Sequence, residues 1–307
     1  MTRAALCFPG QGSQAAGMAG GLLDQPLAIS LLAVAASEGL DLGAALGGSD
    51  EELRPTQVAQ PALLFVELVL AAALPADLDI VGVAGHSVGE YAAVSVAGAY
   101  TPEDAMRMVI RRGREMAAMT EGTMAAIIGL DDRVVEAACA QARAGGEVVV
   151  IGNLNAPGQV VISGSTNGVE RAGAAARERG ARRVIPLNVS GAFHSPLMAP
   201  AAERFAQVIR ATPQTELRIP VVCNVDGLAV HHSADLPKRL ARQLESPVRW
   251  IDCVGSLIGL GADVLVEVGP GAVLSGLARR IDLQVRTARV NHLDEATALV
   301  TLWTAPA

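Results

Sequence analysis

Residues 80–89 read Ile-Val-Gly-Val-Ala-Gly-His-Ser-Val-Gly, a pattern that predicts a tight turn between a strand and a helix. The first five residues predict a buried strand, and the alanine-rich residues after position 89 predict a helix. A Gly-x-Ser-x-Gly turn between a strand and a helix is a nucleophile elbow. Its glycines remove Cβ atoms from a tight turn, which leaves the hydroxyl of Ser87 exposed at the tip. We therefore predict that Ser87 is a nucleophile and that the main-chain N–H of Val88 helps to hold an oxyanion. The alternative is a chance match in a chain with 32 glycines.

The composition is that of a globular protein with an ample core. The chain has 307 residues, of which 51% are hydrophobic and 18% are charged. Because one hydrophobic core stops growing at about 250–300 residues, we expect a large domain with a smaller companion. The longest apolar stretch, residues 61–74, contains Glu67 and is too short to span a bilayer. No secretory signal precedes it, so we expect a cytoplasmic protein without a membrane segment.

The charges and cysteines exclude several classes of site. A net charge of −7, without basic runs interleaved with aromatic residues, argues against nucleic acid as a partner. Four cysteines are present, and no two of them form a Cys-x-x-Cys pair. This spacing argues against a zinc site and against disulfides, so we predict buried, reduced thiols and no bound metal.

The order of predicted elements indicates an α/β fold with an insertion. Residues 122–190 show the order β-α-β-β-α-β, which is typical of a small ferredoxin-like domain. Residues 1–121 and 191–307 alternate strands and helices, as in a parallel sheet. Together with the elbow, this pattern predicts a large α/β-hydrolase-like domain, residues 1–121 and 191–307, carrying the inserted domain.

A serine at an elbow requires a base, and histidine is the usual one at neutral pH. Of the five histidines, His194 lies directly after the inserted domain, at a junction where clefts form. His86 adjoins the serine and should point away from its reaction face, so we assign it a structural role. The alternative for His194 is a core or capping histidine.

Arg112 lies on the apolar side of a predicted helix that runs from about residue 102 to 117. At 100° per residue, Arg112 falls with Ala105, Val109 and Met116, while three other arginines fall on the opposite face. A buried guanidinium needs an anionic partner, because an unpaired buried charge is costly. The partner is either an internal acid or the substrate. An arginine near a nucleophilic serine favours an acyl group with a free carboxylate.

The chain resembles the malonyl-CoA:acyl carrier protein transacylase family, which includes the acyltransferase domains of polyketide synthases. The resemblance covers nearly the whole chain and depends on short motifs that follow one another in order. They are Phe-Pro-Gly-Gln-Gly-Ser-Gln at 8–14, Gln-Pro-Ala-Leu at 60–63, Gly-His-Ser-Val-Gly-Glu-Tyr at 85–91, Arg-Gly at 112–113, Met-Ala-Ala-Ile-Ile-Gly at 124–129, Asn-Ala-Pro-Gly-Gln-Val-Val at 155–161, Ala-Phe-His-Ser at 192–195, Gln-Leu-Glu-Ser-Pro-Val-Arg-Trp at 243–250 and Glu-Val-Gly-Pro-Gly at 267–271.

The resemblance implies a role for each matching residue. Ser87 would be the nucleophile and His194 its base, with the main-chain carbonyl of Gln243 orienting the histidine. The main-chain N–H groups of Gln11 and Val88 would form the oxyanion hole. Arg112 would bind the malonyl carboxylate, and the acyl pocket would include Phe193 and Asn155.

The implied reaction transfers a malonyl group from coenzyme A to the phosphopantetheine thiol of an acyl carrier protein, through a malonyl-serine. The resemblance implies malonyl-CoA and the carrier protein as partners, with coenzyme A entering only as a substrate thioester and no resident cofactor. We expect a monomer. The alternatives are the same chemistry serving a malonate decarboxylase carrier subunit, a serine acyl hydrolase or thioesterase using His292, and a non-catalytic docking subunit.

Overall fold

The structure, a computed structural model, describes residues 2–304 and the side chains of residues 2–299. The predicted domain ends at residues 1 and 307 lie outside the described residues. The helices in chain order are α1 (Pro26–Ser37), α2 (Leu42–Leu46), α3 (Thr56–Ala72), α4 (Gly89–Val96), α5 (Pro102–Ala117), α6 (Asp132–Ala144), α7 (Thr166–Glu178), α8 (Ala199–Ala211), α9 (Leu236–Arg242), α10 (Trp250–Gly259), α11 (Val273–Ile281) and α12 (Leu293–Thr304).

The strands divide between two sheets. They are β1 (Arg3–Phe8), β2 (Asp79–Gly85), β3 (Thr123–Ile128), β4 (Val149–Ala156), β5 (Gln159–Gly164), β6 (Arg183–Pro186), β7 (Val221–Val222), β8 (Ala229–Val230), β9 (Val264–Val268) and β10 (Arg286–Val290). Within the described residues, one sheet has the order β10-β9-β1-β2-β7-β8 and is parallel except for the pairing of β7 with β8. The fold is therefore mixed α/β with a mostly parallel sheet, as the alternation of elements predicts.

The second sheet has the order β4-β5-β3-β6, and each pairing in it is antiparallel. Its elements follow one another as β3, α6, β4, β5, α7 and β6. Alternation along β3 explains where this sheet packs: Met124 and Ala126 join the main core, while Ala125 and Ile127 pack with residues of α6 and α7. One face of the antiparallel sheet thus packs against the main core.

A short bridge joins strand β4 to the segment just before α10. The N–H of Leu154 donates to the carbonyl of Val248 at 2.9 Å, and the N–H of Val248 donates to the carbonyl of Gly152 at 2.8 Å. Strand β4 is therefore held against the segment that follows Ser246. The carbonyl groups of Gln243 and Ser246, just before the bridge, contact the ring of His194.

The parallel strands place their following loops at one edge of the large sheet. Strands β1, β2 and β7 are neighbours, and their carboxyl ends lead to the loop after Phe8, to the serine turn and to Asn224. This edge is where open parallel sheets bind their ligands. Among the described helices, none is both long and apolar enough to cross a membrane.

Candidate active site

The predicted turn between strand and helix is present, with Ser87 at its tip. Ser87 has a φ of 53°, which lies in the left-handed region that few residues other than glycine adopt. A Cβ on Gly85 would lie 1.9 Å from the carbonyl carbon of Gly89, and a Cβ on Gly89 would lie 2.3 Å from the Phe8 carbonyl oxygen. Both glycines are therefore required by close backbone packing.

His194 lies next to the serine. Its Nε2 is 2.8 Å from Ser87 Oγ, and its Nδ1 is 2.9 Å from the carbonyl of Gln243 and 3.2 Å from that of Ser246. Carbonyl oxygens only accept hydrogen bonds, so Nδ1 carries the proton of the neutral ring and donates it. The lone pair of Nε2 then faces the serine hydroxyl, which is the arrangement that a general base requires.

The environment of His194 keeps its ring neutral. The residue is 3% exposed, and its surroundings lower the pKa of His194 to about 3. Burial is the main cause, and the positive charge of Arg112 adds to it. The imidazole is thus ready to accept a proton at neutral pH.

Arg112 is fully buried on α5 and reaches the same serine. Its Nη2 donates to Ser87 Oγ at 3.1 Å and to the Gln243 side-chain oxygen at 2.9 Å, and its Nη1 donates to the Gln60 side-chain oxygen at 2.7 Å. Its Cζ lies 5.3 Å from the ring centroid of Tyr91. Each of these partners is neutral. Within the described side chains, no carboxylate forms an ion pair with this guanidinium, so the alternative of an internal acid is not what the geometry shows.

Glu90 is the buried acid behind this arrangement. Its carboxylate accepts a hydrogen bond from Nε2 of Gln243, whose amide also donates to the carbonyl of Ser87 at 2.9 Å. Burial raises the pKa of Glu90 to about 7, although hydrogen bonds and Arg112 act in the opposite direction. The side chain of Gln243 thus lies between the carboxyl and Arg112 and hydrogen-bonds to both, while the two charged groups attract each other through space.

The loop after β1 lies against the serine turn. A Cβ on Gly10 would be 2.7 Å from the carbonyl oxygen of His86, so only glycine allows this approach. Gln11 follows, and its side-chain amide donates to Oγ1 of Thr56 at 3.1 Å. Val88 begins the turn into α4. The two main-chain N–H groups predicted for an oxyanion hole thus lie on adjoining loops.

Phe193 and Asn155 lie on the side of the antiparallel sheet. Phe193 is 5% exposed and belongs to the main core, directly before His194. Asn155 is 9% exposed, and its Oδ1 is 2.9 Å from Nε2 of His86. His86 also packs against Trp250, with ring centroids 5.7 Å apart. His86 therefore ties the elbow to β4, which agrees with the structural role predicted for it.

Sequence reasoning missed Asn224. Its Oδ1 accepts from the N–H of Ser87 at 2.8 Å, and its Nδ2 donates to the carbonyl of Gly85 at 2.7 Å. The side chain thus clamps the strained turn from both sides. Its position soon after the apolar strand β7 is a partial signal, but nothing in the local sequence pairs it with the elbow.

Comparison with known proteins gives the family. The acyl transferase domain family matches residues 6–291. The chain belongs to this family. Two relatives are named malonyl CoA-acyl carrier protein transacylase. The one from Bacillus subtilis is 41% identical over 298 residues, covering 95% of this chain and 94% of the relative. The one from Escherichia coli strain K12 is 42% identical over 312 residues, covering 97% and 98%.

Solved structures of the family superpose closely on this acyl transferase. The malonyl CoA-acyl carrier protein transacylase from Coxiella burnetii gives a TM-score of 0.92 at 35% identity and covers 99% of this chain and 98% of that chain. A malonyl-transacylase in complex with a type II polyketide synthase acyl-carrier protein gives a TM-score of 0.91 at 37% identity, covering 98% and 100%. The resemblance inferred from the motifs is thus confirmed.

The other histidines of the acyl transferase lie elsewhere. His231, His232 and His292 are exposed, and His292 lies just before α12. An α/β-hydrolase would take its base from late in the chain, where His292 was the candidate. Since His194 occupies the position beside Ser87, the geometry favours the acyl transferase arrangement over the hydrolase one.

Proposed function

We propose that this acyl transferase moves a malonyl group from coenzyme A to the phosphopantetheine thiol of an acyl carrier protein through a malonyl-serine. The observation that carries the proposal is the buried guanidinium of Arg112, which has neutral partners and lies 3.1 Å from Ser87 Oγ. A buried cation without a directly paired carboxylate, beside a nucleophile, favours an acyl group that brings its own carboxylate.

In the first half of the reaction, Ser87 Oγ attacks the thioester carbonyl while Nε2 of His194 takes its proton. The N–H groups of Gln11 and Val88 would stabilise the oxyanion, and Arg112 would bind the free carboxylate in two parallel hydrogen bonds. The carbon–sulfur bond then breaks. The thiolate of coenzyme A leaves with the proton from Nε2, and the malonyl ester of Ser87 remains.

In the second half, the thiol of the carrier protein's phosphopantetheine arm attacks the malonyl ester. Nε2 of His194 accepts the thiol proton and returns it to Ser87 Oγ as the carbon–oxygen bond breaks. Arg112 would hold the carboxylate in both halves, which restricts the acyl group to one orientation. The residues supply all of the proton transfers, and we propose no resident cofactor or metal.

We also propose a division of the chain into two domains. The strand order and elbow support an α/β-hydrolase-like large domain, residues 1–121 and 191–307. The order β4-β5-β3-β6 supports a ferredoxin-like domain at 122–190. A monomer in the cytoplasm, without nucleic acid, stays a prediction.

For the carrier protein we propose docking beside α9. Lys238 and Arg242 on this helix are exposed, and in the described part of the chain neither forms an ion pair. Gln243, whose carbonyl orients His194, follows directly. The cluster Arg177, Arg179, Arg182 and Arg183 is less suitable, because Arg183 pairs with Ile128 at the far end of β3 from the domain junction. A positive face near the catalytic cleft would attract an acidic carrier.

The test is transfer of malonyl from malonyl-CoA to a carrier protein bearing its phosphopantetheine arm, with the same carrier lacking the arm as control. We expect transfer only to the complete carrier. His194→Ala should abolish transfer and His292→Ala should leave it intact. A protein that hydrolyses malonyl-CoA and depends on His292 would instead be an acyl hydrolase.

A further inference from the structure

Two glutamine side chains hold the buried guanidinium of Arg112. Gln60 on α3 is 1% exposed and Gln243 is fully buried, and their amide oxygens accept from Nη1 at 2.7 Å and from Nη2 at 2.9 Å. In the proposed mechanism, Gln243 acts only through its main-chain carbonyl, which orients His194. The mechanism gives no role to the side chain of Gln60.

The amide groups are fixed in orientation by what their nitrogens contact. Nε2 of Gln60 lies 3.3 Å from the thioether sulfur of Met116, which is a weak acceptor. Nε2 of Gln243 donates to the Ser87 carbonyl and to Glu90. Each nitrogen thus faces an acceptor, so each oxygen faces the arginine.

An amide oxygen and a carboxylate oxygen hold a guanidinium with different electrostatic results. Both accept hydrogen bonds, but only the carboxylate cancels the positive charge. In a buried site, an internal ion pair leaves little attraction for a second anion, since screening by water is weak there. Glutamine at position 60 therefore orients Arg112 without supplying a counter-charge.

We propose that Gln60 is a positioning residue that determines donor choice: it holds Arg112 toward Ser87 while leaving the charge free for a substrate carboxylate. The proposal rests on the proposed function, because it concerns the same acyl group. It predicts that the preference for dicarboxylic over neutral acyl thioesters depends on the neutrality of residue 60.

Other titratable groups near the guanidinium fit this assignment. Glu90 is hydrogen-bonded to the amide of Gln243 and acts on Arg112 through space, without a direct ion pair among the described side chains, and His194 is kept neutral by burial. Tyr91 presents its ring face, and burial raises the pKa of its hydroxyl. Gln60 accepts from Nη1 of Arg112, whereas Gln243, which donates to Glu90, accepts from Nη2. The amide nitrogen of Gln60 contacts the Met116 sulfur and not an acid. A carboxylate at position 60 would thus be the first one in direct contact with Arg112.

The experiment compares Gln60→Glu with Gln57→Glu, which adds the same charge at an exposed position on the same helix. Formation of the acyl-serine is followed with malonyl-CoA and with acetyl-CoA. In Gln60→Glu we expect kcat/KM for malonyl-CoA to fall about 10- to 100-fold, and that for acetyl-CoA to change by less than about threefold. Gln57→Glu should behave as wild type.

A merely structural role would slow both donors equally. The proposal is therefore overturned if Gln60→Glu folds, as judged by circular dichroism, and keeps the malonyl-to-acetyl ratio of the wild type. If that variant does not fold, Gln60→Met decides. It removes the acceptor that holds Arg112 toward Ser87, so kcat/KM should fall more for malonyl-CoA than for acetyl-CoA, and an equal fall with both donors contradicts the proposal. If wild type forms no malonyl-serine, the proposed function itself has failed.

Discussion

Nη2 of Arg112 lies 3.1 Å from Oγ of Ser87, so the cation and the reacting oxygen are direct hydrogen-bond partners. The contact follows from packing, because Ser87 immediately precedes α4 and Arg112 lies on α5, which packs against it. So short a separation suits an acyl group whose carboxylate is one methylene from the thioester carbon. Under the proposed function, this contact would restrict both the charge and the length of the acyl group.

Replacing Arg112 with lysine tests this relationship. Lysine keeps the charge but loses the planar fork that matches a carboxylate. We expect kcat/KM for malonyl-CoA to fall about 10- to 100-fold, with little change for acetyl-CoA. Arg111→Lys, one residue away on the exposed face, is the control. An equal loss with both donors would argue against a carboxylate contact.

We expect Asn224 to affect the rate of acyl transfer because it holds the turn at Ser87 in shape. Asn224→Ala leaves the N–H of Ser87 and the carbonyl of Gly85 without their side-chain partner. We expect a loss of about 1–3 kcal/mol in the free energy of unfolding, and a kcat that falls more than KM rises. Urea denaturation and steady-state kinetics measure both, with exposed Asn167→Ala as control. An unchanged kcat would show that the turn keeps its shape without this clamp.

The pH dependence of acyl-serine formation reports on His194. Only the neutral ring can accept the serine proton, so the rate falls once pH drops below the pKa of the ring. Since burial and Arg112 lower that pKa to about 3, the acid limb should lie well below the ordinary value of about 6.5. Rapid-quench kinetics of the free enzyme at low substrate give this profile. An acid limb centred near or above the ordinary value would mean that His194 is more solvated than the structure indicates.

Charge reversal on α9 tests the proposed docking face. The double variant Lys238→Glu, Arg242→Glu should lower kcat/KM for the carrier protein about tenfold at low salt, and by less at high salt. The rate of acyl-serine formation from malonyl-CoA should not change. Reversal of Arg177 and Arg183 serves as the matched control. If the control variant lowers kcat/KM for the carrier protein and the α9 variant does not, the carrier docks at the antiparallel sheet.

Helical periodicity and the residue types at turns were sufficient to predict much of the site from the sequence. The helix predicted from residue 102 to 117 is α5, with Thr101 accepting a hydrogen bond from the N–H of Asp104 as its cap. The same periodicity placed Arg112 on the buried face, and Arg112 is indeed fully buried. These features are local, so a single stretch of sequence contains their causes.

Features that depend on tertiary contacts were harder to predict from the sequence. Helix α3 starts at Thr56, ahead of the apolar stretch 61–74, so that Pro61 lies inside the helix. The helix Trp250–Gly259 was not predicted. The contacts of Asn224 with the elbow and of Gln60 with Arg112 join residues 137 and 52 positions apart. No local pattern indicates such pairings.

The most direct test of the account is the mass of the intact protein after brief incubation with malonyl-CoA or acetyl-CoA. We expect malonyl-CoA to add one malonyl group to wild type at Ser87, located by peptide mapping, and to add nothing to Ser87→Ala. Acetyl-CoA at the same concentration should label far less. Absence of the malonyl adduct, or stronger labelling by acetyl-CoA, would contradict the claim that Arg112 selects a carboxylate-bearing acyl group for Ser87.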